Sequence, residues 1–280
     1  MLSFIFTLLT VGVVLIASQD STSCPDYDAS KIKLVTLDCF AALMAWEGTN
    51  LNFIFILVKI DFILFVFKLV DSMKVSVASV LPDLSTSQVD SLVLAWEGAY
   101  GSMQNRVYAE EESGAFPFSW DISKALSDIL IDMNLSVSRA DFHRLIACWG
   151  QLTPWEGTQE ALEVLVKGNI TIGALSNGDR YTLTNVVSVF QTPVVFSHIF
   201  PSDFPVGAQK PQKAIYQQVL DVTDYDISEV LHVAGGATDG SGARDAGFFS
   251  ALLHKDPVPD KTPPCFVLND ISELPAVLGL

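Results

Sequence analysis

The sequence predicts an α/β protein: a parallel sheet covered on both faces, with a helical segment inserted after its first strand. Three observations predict it. Short apolar runs rich in β-branched residues (LVTL from Leu34, NITIGAL from Asn169, VLHVAG from Val230, PCFVL from Pro264) have the length and bounding turns of buried strands. From about Leu152 onward such runs alternate with helical stretches, the pattern of a parallel sheet whose ligands sit at the carboxyl ends of the strands. Between Leu69 and about Gly150 the spacing changes, and TSQVDSLVLAWEGAYGSMQNRVY and SWDISKALSDILIDM repeat apolar residues every three and four positions, as amphipathic helices do.

Taken in order, the chain opens on an apolar run from Leu2 to about Ala17 that then turns polar, with small residues at Ala17 and Ser18. Residues 1–19 are expected to be a secretory signal peptide or, uncleaved, a membrane anchor; a buried helix is the remaining reading. The first two lead to secretion or the secretory pathway. The strand from Leu34 ends at Asp38, a carboxylate whose burial is costly without partners or a role in chemistry. Residues 50–68, NLNFIFILVKIDFILFVFK, are apolar except for charges such as Lys59 and Asp61, and suit neither a membrane helix nor a soluble helical face. They read as an insertion, across which the chain can pass directly from Thr49 to Leu69. Residues 69–150 form the helical segment. A helix is then expected from Gly157 to Lys167, followed by the strand NITIGAL, a polar turn at Ser176 and another helix. A short strand near Val194 to Phe196, a helix from about Pro211, the strand VLHVAG, a helix, the strand PCFVL and a closing helix complete the series. Residues 31–49 and 151–280 make up the sheet domain. Asp38, Ser176 and the Gly235-Gly236 turn all fall at strand carboxyl ends.

Composition narrows the function. Half of the 280 residues are hydrophobic and the formal charge is −16, which argues against a nucleic-acid partner, since such proteins present a basic face. Cys24, Cys39, Cys148 and Cys265 are too few and too scattered to read as a disulfide framework or a metal knuckle. His143, His232 and His254 are expected to be packing or surface residues.

Four segments carry a family resemblance. LDCFAAL at Leu37 resembles the first motif of the haloacid dehalogenase superfamily and LSNGDRYTL at Leu175 the second. QKPQKAIYQQVL, with Lys210 and Tyr216, resembles the third, and HVAGGATDGSGARDAGF, with Asp239, the fourth. Their order and spacing over residues 31–280 are most similar to the 2-haloacid dehalogenase type. The resemblance implies a Rossmann-like core with a helical cap inserted after the first motif, and a small-molecule substrate; a homodimer is an open expectation. It also implies a mechanism. Asp38 would displace halide from carbon to give an aspartyl ester that water hydrolyses, Lys210 would hold Asp38 ionised and oriented, and Ser176 and Asn177 would hold the substrate carboxylate. Tyr216 and Asp239 would orient Asp38, Lys210 or the water, and Phe40 would line the substrate site.

The residues favour dehalogenase over phosphatase. Phosphatases of this superfamily carry a second Asp two residues after the nucleophile as general acid, and Phe40 stands there. Ala234, Gly235 and Gly236 precede a lone Asp239 where an acidic pair would hold magnesium, so no cofactor is expected; magnesium belongs only to the phosphatase alternative. Other positions depart from the dehalogenases. Ala41-Ala42 replaces Gly-Thr, Glu97 follows Trp96 where a halide-binding Arg is expected, and the fourth motif lacks its Ser and Asn. The expected activity toward simple haloacids is therefore weak, and a catalytically inactive binding domain is the third reading.

Overall fold

The computed structural model describes residues 24–44, 68–108, 117–253 and 262–280. Its six strands are β1 (Leu34–Leu37), β2 (Thr171–Leu175), β3 (Phe196–Phe200), β4 (Val230–Ala234), β5 (Phe249–Leu253) and β6 (Phe266–Leu268). They form one sheet in the order β3-β2-β1-β4-β5-β6, parallel throughout. Every residue of β1 is buried, as a central strand covered on both faces requires.

Alternation along the strands sorts side chains to two layers. Val35, Leu37, Leu231 and Val233 join one core with Leu162 and Leu165 of α5 (Thr158–Lys167) and Leu183 of α6 (Arg180–Val187). Leu34 and Phe200 face the other way, onto Ile215 and Tyr216 of α7 (Lys213–Asp221) and Ala243 of α8 (Ala237–Asp245). Thr36 and His232, cross-strand neighbours in the β1–β4 register, share this second side with Tyr216.

Among the described residues four α-helices lie between β1 and β2: α1 (Lys68–Val80), α2 (Thr86–Tyr108), α3 (Phe118–Asp132) and α4 (Arg139–Ala147). Trp96 and Tyr100 of α2, Phe118 of α3 and Trp149 pack as one aromatic cluster with ring centroids 5.0–5.8 Å apart. The chain leaves β1 and returns to the core side by side. Met44 bridges Pro154, and the Trp155 indole N–H donates to the Ala41 carbonyl at 3.3 Å. The parallel sheet and the inserted helices are those the sequence predicts.

Two elements are shifted. The strand expected near Val194 to Phe196 begins at Phe196, because Val194 is held in a turn by its N–H to the Gln191 carbonyl. The helix expected from Pro211 begins at Lys213. A disulfide joins Cys24 to Cys265 across 241 residues of sequence; a single bridge between distant positions is not a framework and leaves no spacing pattern in the sequence. Residues 1–19, residues 50–67 of the apolar run, and His254 lie outside the described residues. Among the described residues no helix is long and apolar enough to cross a membrane.

Candidate active site

The sheet reverses its winding at β1, which has β2 on one side and β4 on the other. Such a switch point leaves a crevice at the carboxyl ends of the strands, and the expected residues gather there. Asp38 follows β1 directly. Its Oδ2 accepts the Ala41 N–H at 2.9 Å and so caps the single π turn Cys39–Leu43. Its Oδ1 accepts from Ser176 Oγ, at the end of β2, at 3.0 Å and from Lys210 Nζ at 2.9 Å.

Lys210 is the hub. Its ammonium, 4 % exposed, also donates to Asp239 Oδ2 at 2.8 Å. The Asn177 carboxamide oxygen accepts the Lys210 backbone N–H at 2.7 Å, so Asn177 fixes the residue that carries the charge. Burial works to lower the Lys210 pKa, but the Asp239 and Asp38 carboxylates more than reverse it and hold the ammonium well above the usual lysine range. Asp239, in the first turn of α8, is pushed up by burial and pulled down further by His232 and Lys210, ending well below the usual carboxylate range.

Tyr216 donates to Asp239 Oδ1 at 2.8 Å and to its carbonyl at 3.1 Å. His232, expected to be a packing or surface residue, is buried and also reaches the site. Fully buried on β4, it sets Nε2 3.1 Å from both Asp239 oxygens and Nδ1 3.0 Å from Thr36 Oγ1. An ionised carboxylate only accepts, so Nε2 carries a proton, and Thr36 donates to Nδ1 when the ring is neutral. The fourth segment opens on His232, but the resemblance assigns a role there only to Asp239. The available signal was a histidine within a strand of buried residues, a position that demands partners.

Phe40 stacks on Phe118 of α3 at 4.8 Å and 23°, so the position of the second Asp in phosphatases is here an aromatic contact between core and cap. Trp96 is buried and donates its indole N–H to the Ile122 carbonyl at 2.8 Å, while Glu97 is half-buried beside it on α2. Gly235 lets the turn after β4 press against the turn after β1: a Cβ there would lie 2.3 Å from Ala41 Cβ and 2.6 Å from backbone atoms of Ala41 and Ala42. A cavity of about 650 Å³ between α3, α4 and α6 is lined by Trp120, His143, Trp149 and Tyr181 and excludes the carboxylates and Lys210.

The donor set tests the fit of a divalent cation. Lys210 already bridges Asp38 and Asp239, and among the described residues no group of three or more His, Cys, Asp or Glu side chains could hold a metal. With Lys210 between them, Asp38 and Asp239 would offer a magnesium ion few protein ligands, so such an ion would depend on waters and substrate.

Asp38 and Asp239, both largely but not fully buried, share Lys210, with Ser176 at the neighbouring strand end. The family model described as "haloacid dehalogenase-like hydrolase" matches residues 94–247, more than half of the chain. The chain belongs to this family. The match starts within α2, so β1 and Asp38 join it through the fold rather than through that alignment. Among characterised haloacid dehalogenases, (S)-2-haloacid dehalogenase 2 of Pseudomonas sp. (strain CBS-3) is 29% identical over 133 residues, covering 46% of this chain and 57% of its own length. The (S)-2-haloacid dehalogenase of Pseudomonas sp. (strain YL) is 31% identical over 105 residues, 38% of this chain and 45% of that protein. The chain thus spans about half the length of these relatives. The L-2-haloacid dehalogenase of Xanthobacter autotrophicus, solved with chloropropionic acid covalently bound, superposes with a TM-score of 0.64 at 17% identity, over 89% of this chain and 98% of that one.

Proposed function

We propose that this haloacid dehalogenase-like hydrolase is of the 2-haloacid dehalogenase type and uses Asp38 as its nucleophile on a small 2-substituted acid. The observation that carries the reading is the Lys210 bridge between Asp38 and Asp239. Lys210 and Ser176 occupy both acceptor positions of Asp38 Oδ1, whereas Oδ2 holds only the Ala41 N–H and keeps a lone pair. Among the described residues Oδ2 is thus the oxygen left to attack. Its lone pair forms the C–O bond as the carbon–halogen electron pair leaves with halide. Water then adds at the Asp38 carboxyl carbon and releases a 2-hydroxy acid, so that one difficult displacement becomes two easier steps. Ser176, Asn177 and Phe40 border the place where the substrate sits. Tyr216 and His232 hold Asp239, which holds Lys210.

Turnover of simple haloacids is slow in this reading. Glu97 follows Trp96 where the resemblance expects an arginine, and Ala42 offers no hydroxyl; each missing charge-stabilising group costs on the order of 10²–10³ in rate. The test is chloride release from chloroacetate and 2-chloropropionate without metal, beside Asp38→Asn, with intact mass after a single turnover to detect the ester. Slow release with an adduct on Asp38, both absent in the variant, is expected. Equal traces in both proteins point to a binding domain. Hydrolysis of p-nitrophenyl phosphate that requires added magnesium points to the phosphatase alternative.

The chain is also proposed to be exported. Disulfides persist in oxidising compartments, and Cys24–Cys265 ties the segment that follows the apolar N-terminal run to the loop before β6.

A further inference from the structure

Two tripeptides that the site does not use have the form Asn-X-Ser/Thr without proline at the centre: Asn134-Leu135-Ser136 and Asn169-Ile170-Thr171. In a secreted protein that form is the acceptor for N-linked oligosaccharide, provided the asparagine reaches the surface. Both asparagines are exposed. Both also occupy the same structural position, two residues beyond a helix, with left-handed φ of 54° at Asn134 after α3 and 62° at Asn169 after α5. Asparagine is the residue other than glycine that accepts this conformation at a helix end. The backbone of each turn is satisfied without the side chain. Leu135 N–H reaches the Leu130 carbonyl at 2.8 Å and Ile170 N–H the Leu165 carbonyl at 3.0 Å, which leaves the carboxamides to solvent.

Their placement also spares the site. Asn169 precedes β2 at the amino edge of the sheet, whereas Ser176 follows the other end of that strand, about 17 Å away at 3.3 Å per residue. Asn134 follows the far end of α3, whose first turn carries Phe118, and a 15-residue helix spans about 22 Å. Ile131, 71% exposed one turn before Asn134, is an apolar surface that a glycan there would cover.

We propose that Asn134 and Asn169 are N-glycosylation sites of this protein. The donor is a lipid-linked pyrophosphoryl oligosaccharide. The asparagine Nδ2 bonds to the anomeric carbon as that carbon's bond to the phosphate oxygen breaks; the amide loses one proton and the lipid pyrophosphate leaves. The inference rests on the export proposed above and is independent of the reaction at Asp38.

The test translates the full chain in the presence of endoplasmic-reticulum microsomes, reading translocation by protease protection and modification by mass before and after peptide N-glycosidase. Two glycosidase-sensitive increments are expected, with Asn converted to Asp at positions 134 and 169 on release. Asn134→Gln and Asn169→Gln each remove one increment, as do Ser136→Ala and Thr171→Ala, which keep the asparagine. A protected chain of unmodified mass overturns the glycosylation and leaves export standing. An unprotected chain of unmodified mass overturns both. An increment that survives in the double Asn→Gln chain overturns the site assignment.

Discussion

At the ends of β1, β2 and β4, Asp38, Ser176, Lys210, Asp239 and His232 hold one another through contacts of 2.8–3.1 Å. A few residues along the chain, Phe40 begins a different construction, in which Phe118, Tyr100, Trp149 and Trp96 meet one another as rings 4.8–5.8 Å apart. The polar group depends on direction and on the balance of charges; the aromatic group depends on filled volume. Substitutions of equal size therefore have unequal effects in the two places, and each can be broken separately.

The largest expected effect is from Lys210→Met, which keeps the volume and leaves Asp38 and Asp239 facing each other without a counter-charge. A loss of about 3–5 kcal/mol is expected from breaking a buried ion pair on one side, read by urea unfolding, together with loss of the ester on Asp38. If the stability is unchanged, the bridge is not what holds these carboxylates. Phe118→Ala, which empties the centre of the aromatic group, is expected to cost about 3 kcal/mol while leaving Asp38 competent to form an adduct. An adduct lost together with stability would show that the two regions are one unit.

His232→Phe comes next. It removes the Nε2 donor from Asp239 and leaves the buried Thr36 hydroxyl unpaired, for a loss of about 1–3 kcal/mol. His232→Gln, which can still donate to Asp239, is expected to recover part of it; equal losses in both would reduce the imidazole to a packing role. The smallest effect is in pH dependence. Asp239 is depressed in the folded state, so its contribution is present above about pH 4 and fades as pH falls through its folded value. Lys210 is raised, so its share is present below about pH 10 and fades only as pH rises through its folded value. Unfolding temperatures of the wild type and Asp239→Asn, compared across the acid range, should show a shallower acid slope in the variant.

Much of this was legible in the sequence. Asp38, Ser176, Lys210 and Asp239 come at the ends of apolar runs or the start of a helix, and one rule about strand ends brings them together. His232 was not legible in the same way, because its partners Thr36 and Asp239 lie on a neighbouring strand and on the following helix, and strand register is a property of the assembled sheet. The Cys24–Cys265 pairing escaped for the same reason. Asn177 illustrates a subtler miss: its position was foreseen, but its hold on the Lys210 backbone depends on how the loop after β3 closes.

The near-contact of Gly235 with Ala41 and Ala42 constrains how this protein can change. Any side chain at position 235 collides with main-chain atoms as well as with the Ala41 methyl, so trimming Ala41 to glycine relieves only part of the conflict. A serine, or any other side chain, at position 235 requires the two turns to part first. The order of mutations then matters: a side chain at position 235 fits only after the turn at Ala41 and Ala42 has moved.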